Sequence, residues 1–247
     1  MCGRFNLRAS PKEIAAAFGV RDVPEFPPRF NIAPTQPVIV VCRLTAEQLA
    51  ELLAVPSEGR TSAGGAVADR VATWMRWGLV PHWADDPSIG SRMINARAES
   101  VARKPAFRAA FRRRRCLIPA SGFYEWKKTP AGKQPYHVYL PGRKVFGFAG
   151  IWEHWTGADG SELLSCAIIT TDANELVAQV HDRMPVIVPP EAYDLWLQPE
   201  GVSLQELESL LRPYPAEEMA MVPISRRINN PRNDDPECLR PVGEPAD

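Results

Sequence analysis

The feature of this sequence that most limits its fold is a series of short segments rich in β-branched and aromatic residues. In the clearest of them, Pro37 to Arg43, four β-branched residues are consecutive. Such segments predict strands. Further segments of this type lie at 71–80, 116–120, 136–140, 145–152, 163–170 and 186–188. The pattern predicts one α+β domain built on a strongly bent or barrel-like, mainly antiparallel β-sheet with surrounding helices.

Helical and irregular segments separate these strands. Ser10-Pro11-Lys12-Glu13 combines a capping box with proline at the first helical position, which predicts a helix over 11–18. Further helices are expected at 45–54, 105–114, 173–180, 191–197 and 204–211. Residues 20–36 are expected to be irregular, and the Gly/Ser/Ala-rich stretch 56–69 to be a flexible surface insertion. The predicted domain is 2–225, followed by a loose, polar C-terminal tail at 226–247.

Composition excludes several classes of protein. The 247 residues suffice for a sizeable core, and the net charge of zero means that a polyanion must be held by a local basic patch. The five cysteines form no C-x-x-C pair, and the four histidines lack metal-ligand spacing. We therefore expect no disulfide framework, no metal and no cofactor. No signal peptide and no apolar run of membrane-spanning length is evident, so a cytoplasmic protein without a membrane contact is expected.

The N-terminus carries the first candidate for chemistry. Removal of Met1 would leave Cys2 with a free α-amine and a thiol on adjacent carbons. The amine titrates near 7.7–8.0, so part of it is nucleophilic at neutral pH, and the thiol is nucleophilic as its thiolate. Such a 1,2-aminothiol attacks an aldehyde twice, first through nitrogen to an imine and then through sulfur to a thiazolidine. The alternative is that Cys2 is an incidental small buried hydrophobe.

Three further segments carry polar residues in surroundings that do not explain them as surface residues. Asn95, Arg97 and Glu99 alternate with small residues, so an extended segment would direct all three to one face. Glu125 is bracketed by aromatic residues, which favours a raised pKa suited to acid–base work. His181 follows a predicted helix. The alternatives are a half-exposed strand, a solvent-facing glutamate and a histidine that satisfies the last helical carbonyls.

A basic stretch indicates an anionic partner. Between Arg92 and Arg115 the only acid is Glu99. The basic residues are Arg92, Arg97, Arg103, Lys104, Arg108 and Arg112 to Arg115. They favour a phosphate-binding surface, although the last four are also consistent with a solvated helix end. The tryptophan-rich stretches 77–83 and 122–126 offer stacking faces for unpaired bases, or belong to the core.

Six motifs taken together resemble the SRAP (SOS response-associated peptidase) family. They occur in the family's order over nearly the whole chain: Met1-Cys-Gly-Arg-Phe, Asn31-Ile-Ala-Pro-Thr-Gln, Trp77-Gly-Leu-Val-Pro-His-Trp, Ile94-Asn-Ala-Arg-Ala-Glu, Gly122-Phe-Tyr-Glu-Trp and His181-Asp-Arg-Met-Pro. The main departure is the stretch 45–69, which is longer than the family's pattern implies, and we interpret it as a surface insertion.

The resemblance implies a sensor of abasic sites in single-stranded DNA that acts as a monomer in the DNA damage and SOS response. It implies a covalent thiazolidine cross-link, weak lyase activity and self-removal of Met1 as the peptidase activity. The implied catalytic residues are Cys2, Asn95, Glu125 and His181. The implied DNA-binding residues are Arg4 and Arg97 at phosphates, Pro34 at the edge of the DNA channel, and Trp83 and Thr170.

Two other classes remain open at this point. Class II glutamine amidotransferases also begin Met-Cys-Gly, but their Asn-Gly oxyanion motif is missing here and they need no basic patch. A glutaminase assay separates this class from the SRAP interpretation. A plain single-stranded nucleic-acid-binding module would bind in a salt-sensitive manner and be indifferent to an abasic site and to Cys2.

Overall fold

The computed structural model describes residues 2–44, 70–130 and 132–243. The strands are β1 Phe5–Leu7, β2 Arg29–Ile32, β3 Pro37–Arg43, β4 Arg70–Trp77, β5 Asn95–Arg97, β6 Arg115–Ala120, β7 Gly122–Thr129, β8 Gly132–Tyr139, β9 Phe146–Thr156, β10 Glu162–Asp172, β11 Arg183–Pro185, β12 Ile187–Val188 and β13 Ala220–Pro223. The α-helices are α1 Pro11–Phe18, α2 Ala98–Val101, α3 Arg108–Arg113, α4 Tyr193–Leu197 and α5 Leu204–Ser209. Short 3₁₀ turns lie between them, and none of the described helices is long and apolar enough to cross a bilayer.

Five strands close into a barrel. β4 pairs with β3, β3 with β6, β6 with β9 and β9 with β10, all antiparallel. The circle closes because β10 also runs parallel to β4. A second, antiparallel sheet has the order β13-β8-β7-β1-β2. The predicted α+β class with a barrel-like, mainly antiparallel sheet is therefore confirmed.

The N-terminal strand joins the barrel to the second sheet. Phe5 is 1% exposed, and its ring packs edge-on against Trp77 of the barrel at 5.2 Å and against Phe148 at 5.8 Å. On the other sheet, Phe5 pairs with Phe123 of β7 and with Ile32 of β2. Aromatic burial of this extent typically accounts for about 3–5 kcal/mol of stability, and it places Cys2 and Arg4 where the two sheets meet.

Helix α1 forms as predicted, because its ends carry their own signals. The Ser10 side chain accepts a hydrogen bond from the Glu13 amide, and the Glu13 carboxylate accepts one from the Ser10 amide at 2.8 Å. Gly19 ends the helix in the left-handed region at φ 63°. This reciprocal cap satisfies amide groups that the first helical turn leaves without partners.

The predicted helix over 173–180 is wrong. Only a 3₁₀ turn, Val177–Gln179, forms there. The Asn174 side chain accepts a hydrogen bond from the Val177 amide at 2.9 Å and donates one to the Tyr214 carbonyl at 2.7 Å. An asparagine that bonds locally to the backbone in this way competes with helix formation.

Other boundaries also differ from the prediction. The segment 20–36 contains strand β2, because pairing with β1 organises it. The helix expected over 105–114 is limited to Arg108–Arg113, and that over 191–197 consists of a 3₁₀ turn followed by Tyr193–Leu197. The predicted helix 45–54 and the predicted insertion 56–69 lie outside the described residues.

Residues 226–243 do not form the loose tail that their polarity predicts. Ile228 and Cys238 are fully buried in a cluster with Tyr124. Asp234 accepts hydrogen bonds from the amides of Phe30 and Asn31. This carboxylate also pairs with the Arg29 guanidinium. The segment is thus fastened to β2, because its side chains satisfy backbone donors that β2 leaves free. The division of the chain at residue 225 remains a prediction.

We predict that Asp234→Ala lowers the free energy of unfolding by about 2–4 kcal/mol. Two backbone amides and an arginine would lose their acceptor, and an orphaned buried donor costs about 1–3 kcal/mol. Urea denaturation measures the effect. Glu237→Ala is the control, because its carboxylate is exposed and 3.8 Å from Arg240, so a change within about 0.5 kcal/mol is expected. Equal effects of the two substitutions would contradict the proposed fastening.

Candidate active site

Cys2 is fully buried beside the start of β1. Its thiol donates a weak hydrogen bond to the Arg4 carbonyl, with Sγ 3.9 Å from the oxygen. Burial raises the pKa of the Cys2 thiol well above its usual range, and the Glu125 carboxylate raises it further. The thiol is therefore protonated at neutral pH in this state, and any chemistry that starts from a thiolate is disfavoured.

Asn95 holds the Cys2 backbone. Its Nδ2 donates to the Cys2 carbonyl at 2.7 Å. The asparagine is positioned by β5, which runs parallel to β10 with Asn95 opposite Ile168. Its Oδ1 is buried and accepts no hydrogen bond from any described residue. The amide therefore anchors Cys2 through nitrogen and presents a buried acceptor through oxygen.

Glu125 is a buried acid. It lies on β7 opposite Tyr136 of β8 and is 3% exposed. Burial raises the pKa of Glu125 to about 7, and the negative charge of Asp182 acts in the same direction. The expected raised pKa is confirmed, and the alternative of a solvent-facing glutamate is excluded. A carboxyl group with this pKa exchanges protons readily at neutral pH.

His181 follows a 3₁₀ turn rather than the predicted helix, and its amide donates to the Val177 carbonyl at 2.9 Å. Its Nδ1 accepts from the Arg183 amide at 3.0 Å. We assign the proton of the neutral imidazole to Nε2 from this bond. Burial lowers the pKa of His181, so the neutral form dominates at pH 7. When protonated, Nδ1 can instead pair with the Asp182 carboxylate at 2.9 Å.

A cleft of about 470 Å³ joins several of these groups. It is lined by Arg4, Glu125, Trp126, Lys128, Lys133, His181 and Asn229. Asn95 and Cys2 are linked to each other by the hydrogen bond from Asn95 to the Cys2 carbonyl. Cys2 is also close enough to Glu125, which lines the cleft, for this carboxylate to raise the pKa of its thiol. The fold thus brings the four predicted catalytic residues together, although they lie far apart in sequence. Their catalytic roles remain predictions.

Arg4 is held by neutral acceptors. Its Nη1 donates to Asn31 Oδ1 at 2.7 Å and to the Ile228 carbonyl at 3.0 Å. The guanidinium lies over the Trp126 ring, 5.9 Å from its centroid. None of these contacts cancels the positive charge, so Arg4 contributes a fixed cation to the cleft.

The other predicted DNA-binding residues do not share this cleft. Arg97 is exposed, and its neighbour in register, Thr170, is fully buried. Pro34 is half-buried in the turn before β3. Trp83 is 52% exposed and lines a different cleft, of about 500 Å³. Their contacts with DNA remain predictions.

Fewer arginines of the basic stretch 92–115 are available to an anionic partner than the sequence suggests. Arg114 pairs with the buried Glu153 at 2.7 Å. Arg115 is 3% exposed and donates to backbone carbonyls, including that of Trp196 at 2.8 Å. Glu99 lies in α2 rather than on an extended segment with Asn95, and it binds Arg183 through both carboxylate oxygens at 2.7 and 3.0 Å. The expectation of three polar side chains on one extended face is therefore wrong for Glu99.

Sequence reasoning missed several residues that line the cleft or, like Asn31, hold a residue that lines it. The roles of Asn31 and Asn229 depend on contacts with segments about 100–200 positions apart, and no local pattern reports such contacts. The sequence did contain an indication for Lys128 and Lys133, because basic residues directly follow the motif that contains Glu125. Of the tryptophans in the first stretch, one belongs to the core and one is exposed. Trp77 is fully buried and its indole donates a hydrogen bond to the Ile94 carbonyl, whereas Trp83 is exposed.

A family model described as SOS response associated peptidase (SRAP) matches residues 1–231. The chain belongs to the SRAP family. The abasic site processing protein YoqW of Bacillus subtilis is 39% identical over 243 residues, which cover 97% of this chain and 99% of YoqW. The abasic site processing protein HMCES of Gallus gallus is 38% identical over 199 residues, 71% of this chain and 59% of HMCES. A crystal structure of a Bacteroides thetaiotaomicron protein superimposes with a TM-score of 0.79 at 26% identity, over 98% of this chain and all of that one.

We predict that Glu125→Gln stabilises this SRAP protein above pH 7. The pKa of Glu125 is near 4.5 in an unfolded chain and about 7 in the fold. The stability that the protonated carboxyl confers is therefore lost as pH rises from about 4.5 to about 7. At 1.36 kcal/mol per unit, the loss is about 3 kcal/mol, which the amide avoids.

Chemical denaturation at pH 4.5 and pH 8 measures this effect. The difference between variant and wild type should be near zero at the lower pH and largest at the higher. A difference independent of pH would show that Glu125 does not carry a raised pKa.

Proposed function

We propose that this protein captures abasic sites in single-stranded DNA by forming a thiazolidine through Cys2 after Met1 is removed. The observation that carries the proposal is the hydrogen bond from Asn95 to the Cys2 carbonyl, in a site with a buried carboxyl group of pKa about 7. The curated relatives named abasic site processing proteins support the choice of lesion.

The cross-link would form in two bond-making steps. The Cys2 α-amine adds to the aldehyde carbon C1′ of the ring-opened deoxyribose, and the aldehyde oxygen leaves as water, which gives an imine. The thiol sulfur then adds to C1′ while its proton passes to nitrogen, which closes the five-membered ring. Nitrogen attacks first because the buried thiol is protonated and the α-amine is partly neutral at pH 7.

Three side chains would assist these steps. His181 protonates the ring oxygen as the sugar opens. Burial lowers the pKa of this histidine, so its protonated form is a minor species at pH 7 but a stronger acid than an exposed imidazolium. Glu125 accepts the proton of the attacking amine and returns it to the departing hydroxyl. Asn95 holds Cys2 in place, and its buried Oδ1 accepts a hydrogen bond from the amine or the sugar.

Two accompanying activities belong to the same proposal. The imine acidifies the sugar's C2′–H, so elimination of the 3′ phosphate before sulfur closes the ring would produce weak lyase activity. Met1 must be removed to free the amine, either by the protein itself as a peptidase or by an aminopeptidase. Arg4, Pro34, Trp83, Arg97 and Thr170 are the proposed DNA contacts, and the protein is proposed to act as a monomer.

The first test mixes Met1-processed protein with an oligonucleotide that carries one abasic site, followed by denaturing electrophoresis. Wild type should give a heat-stable shifted band, and Cys2→Ala should give none. Cys2→Ser keeps the amine but cannot close the sulfur ring, so its products should be labile. Cys238→Ala is the control, because this buried cysteine lies outside the site.

Two outcomes would contradict the proposal. A heat-stable band with Cys2→Ser would exclude the thiazolidine. Absence of a band from wild type with a free N-terminus would leave the amidotransferase and the plain binding module, and glutaminase activity would distinguish them.

We predict a pH dependence for the ratio of two cross-linking rates, that of wild type divided by that of Glu125→Gln. The midpoint of this dependence should lie at the pKa of Glu125, about 7. The ratio removes the α-amine titration, which both proteins share. Because the carboxylate form is the proton acceptor, the ratio should rise about tenfold per pH unit below 7 and level off above it. Single-turnover kinetics on denaturing gels measure it, and a ratio that stays flat from pH 5 to 9 would exclude Glu125 as the base.

A further inference from the structure

The end of the β7–β8 hairpin carries an unfavourable pair of charges. Lys128 and Lys133 are directly opposite each other in the antiparallel register. The Cβ atoms of directly opposed residues lie about 4.5–5.5 Å apart, and like charges at this distance destabilise a hairpin. A carboxylate at either position would instead favour it. The arrangement therefore indicates a requirement other than hairpin stability.

Neither lysine is neutralised by the protein. Lys144 pairs with Glu13 at 2.7 Å, whereas Lys128 and Lys133 have no ion-pair partner within the ranges that the structure describes. Both line the cleft that contains Glu125 and His181. Two hydrated ammonium groups are thus available at the wall of the candidate active site.

The rest of the cleft adds to this positive charge. Arg4 keeps its charge, because its partners are an amide oxygen and a carbonyl. The Trp126 indole donates to Asn229 Oδ1 at 2.8 Å, which ties the wall between Arg4 and the lysines to the C-terminal segment. Among the described residues that line the cleft, the only carboxyl group is that of Glu125, which is partly protonated at neutral pH. The cleft is therefore a local basic surface on a chain of zero net charge.

We propose that Lys128 and Lys133 bind the phosphodiester backbone of single-stranded DNA where it leaves the lesion-binding cleft. The inference rests on the proposed function and adds a subsite to it. Two successive phosphates, one beside each ammonium group, relieve the repulsion between the lysines and gain one favourable charge contact each. Such a contact does not depend on the DNA sequence, because a lysine ammonium acts as a point charge on the phosphate backbone.

The test measures binding of an undamaged single-stranded oligonucleotide, so that affinity is separated from cross-linking. Removing one lysine–phosphate interaction with a single strand makes the negative slope of log K against log salt shallower by about 0.7. Lys128→Gln and Lys133→Gln should each show this reduction, which corresponds to about an eightfold loss of affinity at ~50 mM salt. Lys12→Gln is the matched control, since Lys12 is exposed on α1 and does not line the cleft. It should leave the slope unchanged.

A charge reversal distinguishes a binding role from damage to the fold. Lys128→Glu places a carboxylate opposite Lys133, so the melting temperature should stay equal or rise while DNA affinity falls by more than with Lys128→Gln. A fall in both would attribute the loss of binding to a disrupted hairpin and would overturn the proposal. Lysine variants that bind like the Lys12→Gln control would also overturn it.

Cross-linking of abasic-site DNA separates this subsite from the proposed function. The DNA concentration that gives half the maximal cross-linking rate should increase in Lys128→Gln and in Lys133→Gln, whereas Lys12→Gln should leave it unchanged. If wild type fails to cross-link, the proposed function fails, yet the loss of affinity for undamaged DNA still tests the subsite. If wild type cross-links and the half-saturating concentration is unaffected by both glutamine variants, only the subsite fails.

Discussion

The burial of Phe5 between the two sheets is the constraint on which the site depends. Its ring contacts Trp77 and Phe148 of the barrel, while its backbone pairs with the second sheet. Residues at a chain end normally fray. Here the chain end is three residues from a fully buried aromatic anchor, and the Asn95 amide holds the intervening segment. The Cys2 backbone is thereby held in place although it lies next to the chain end.

The two ends of the chain support each other. Arg4 binds the Ile228 carbonyl and Asn31, and Asn31 donates to carbonyls of residues 228–233. Asp234 in turn accepts from the backbone of β2. These polar groups are at least partly buried and bind one another, so removing Asp234 would take an acceptor from the amides of Phe30 and Asn31. This mutual satisfaction explains why a polar, proline-containing segment is ordered without a large apolar surface of its own.

Local patterns predicted part of the fold and, together with the family's motifs, the four candidate catalytic residues. The α1 helix was predictable because its cap and its terminating glycine are local signals. The helix expected over 173–180 does not form, because Asn174 bonds to its own backbone and to Tyr214, a partner 40 positions away. Cys2, Asn95, Glu125 and His181 were predicted from their chemistry and from the family's motifs, and their catalytic roles remain predictions. The roles of Asn31, Asn229 and the buried Arg115 were not predicted, because they arise only from distant contacts.

The sequence by itself determined which chemistry we propose for the site and the kind of sheet that carries it. A cysteine directly after the initiator methionine and a succession of short β-branched segments are both readable without coordinates. The tertiary structure decided the protonation states, because the pKa values of Cys2 and Glu125 depend on desolvation by segments remote in sequence. It also decided which cations remain available, since Arg114 and Arg115 are engaged within the fold while Lys128 and Lys133 face the cleft. Burial and charge pairing are properties of the packed chain, and adjacent residues do not encode them.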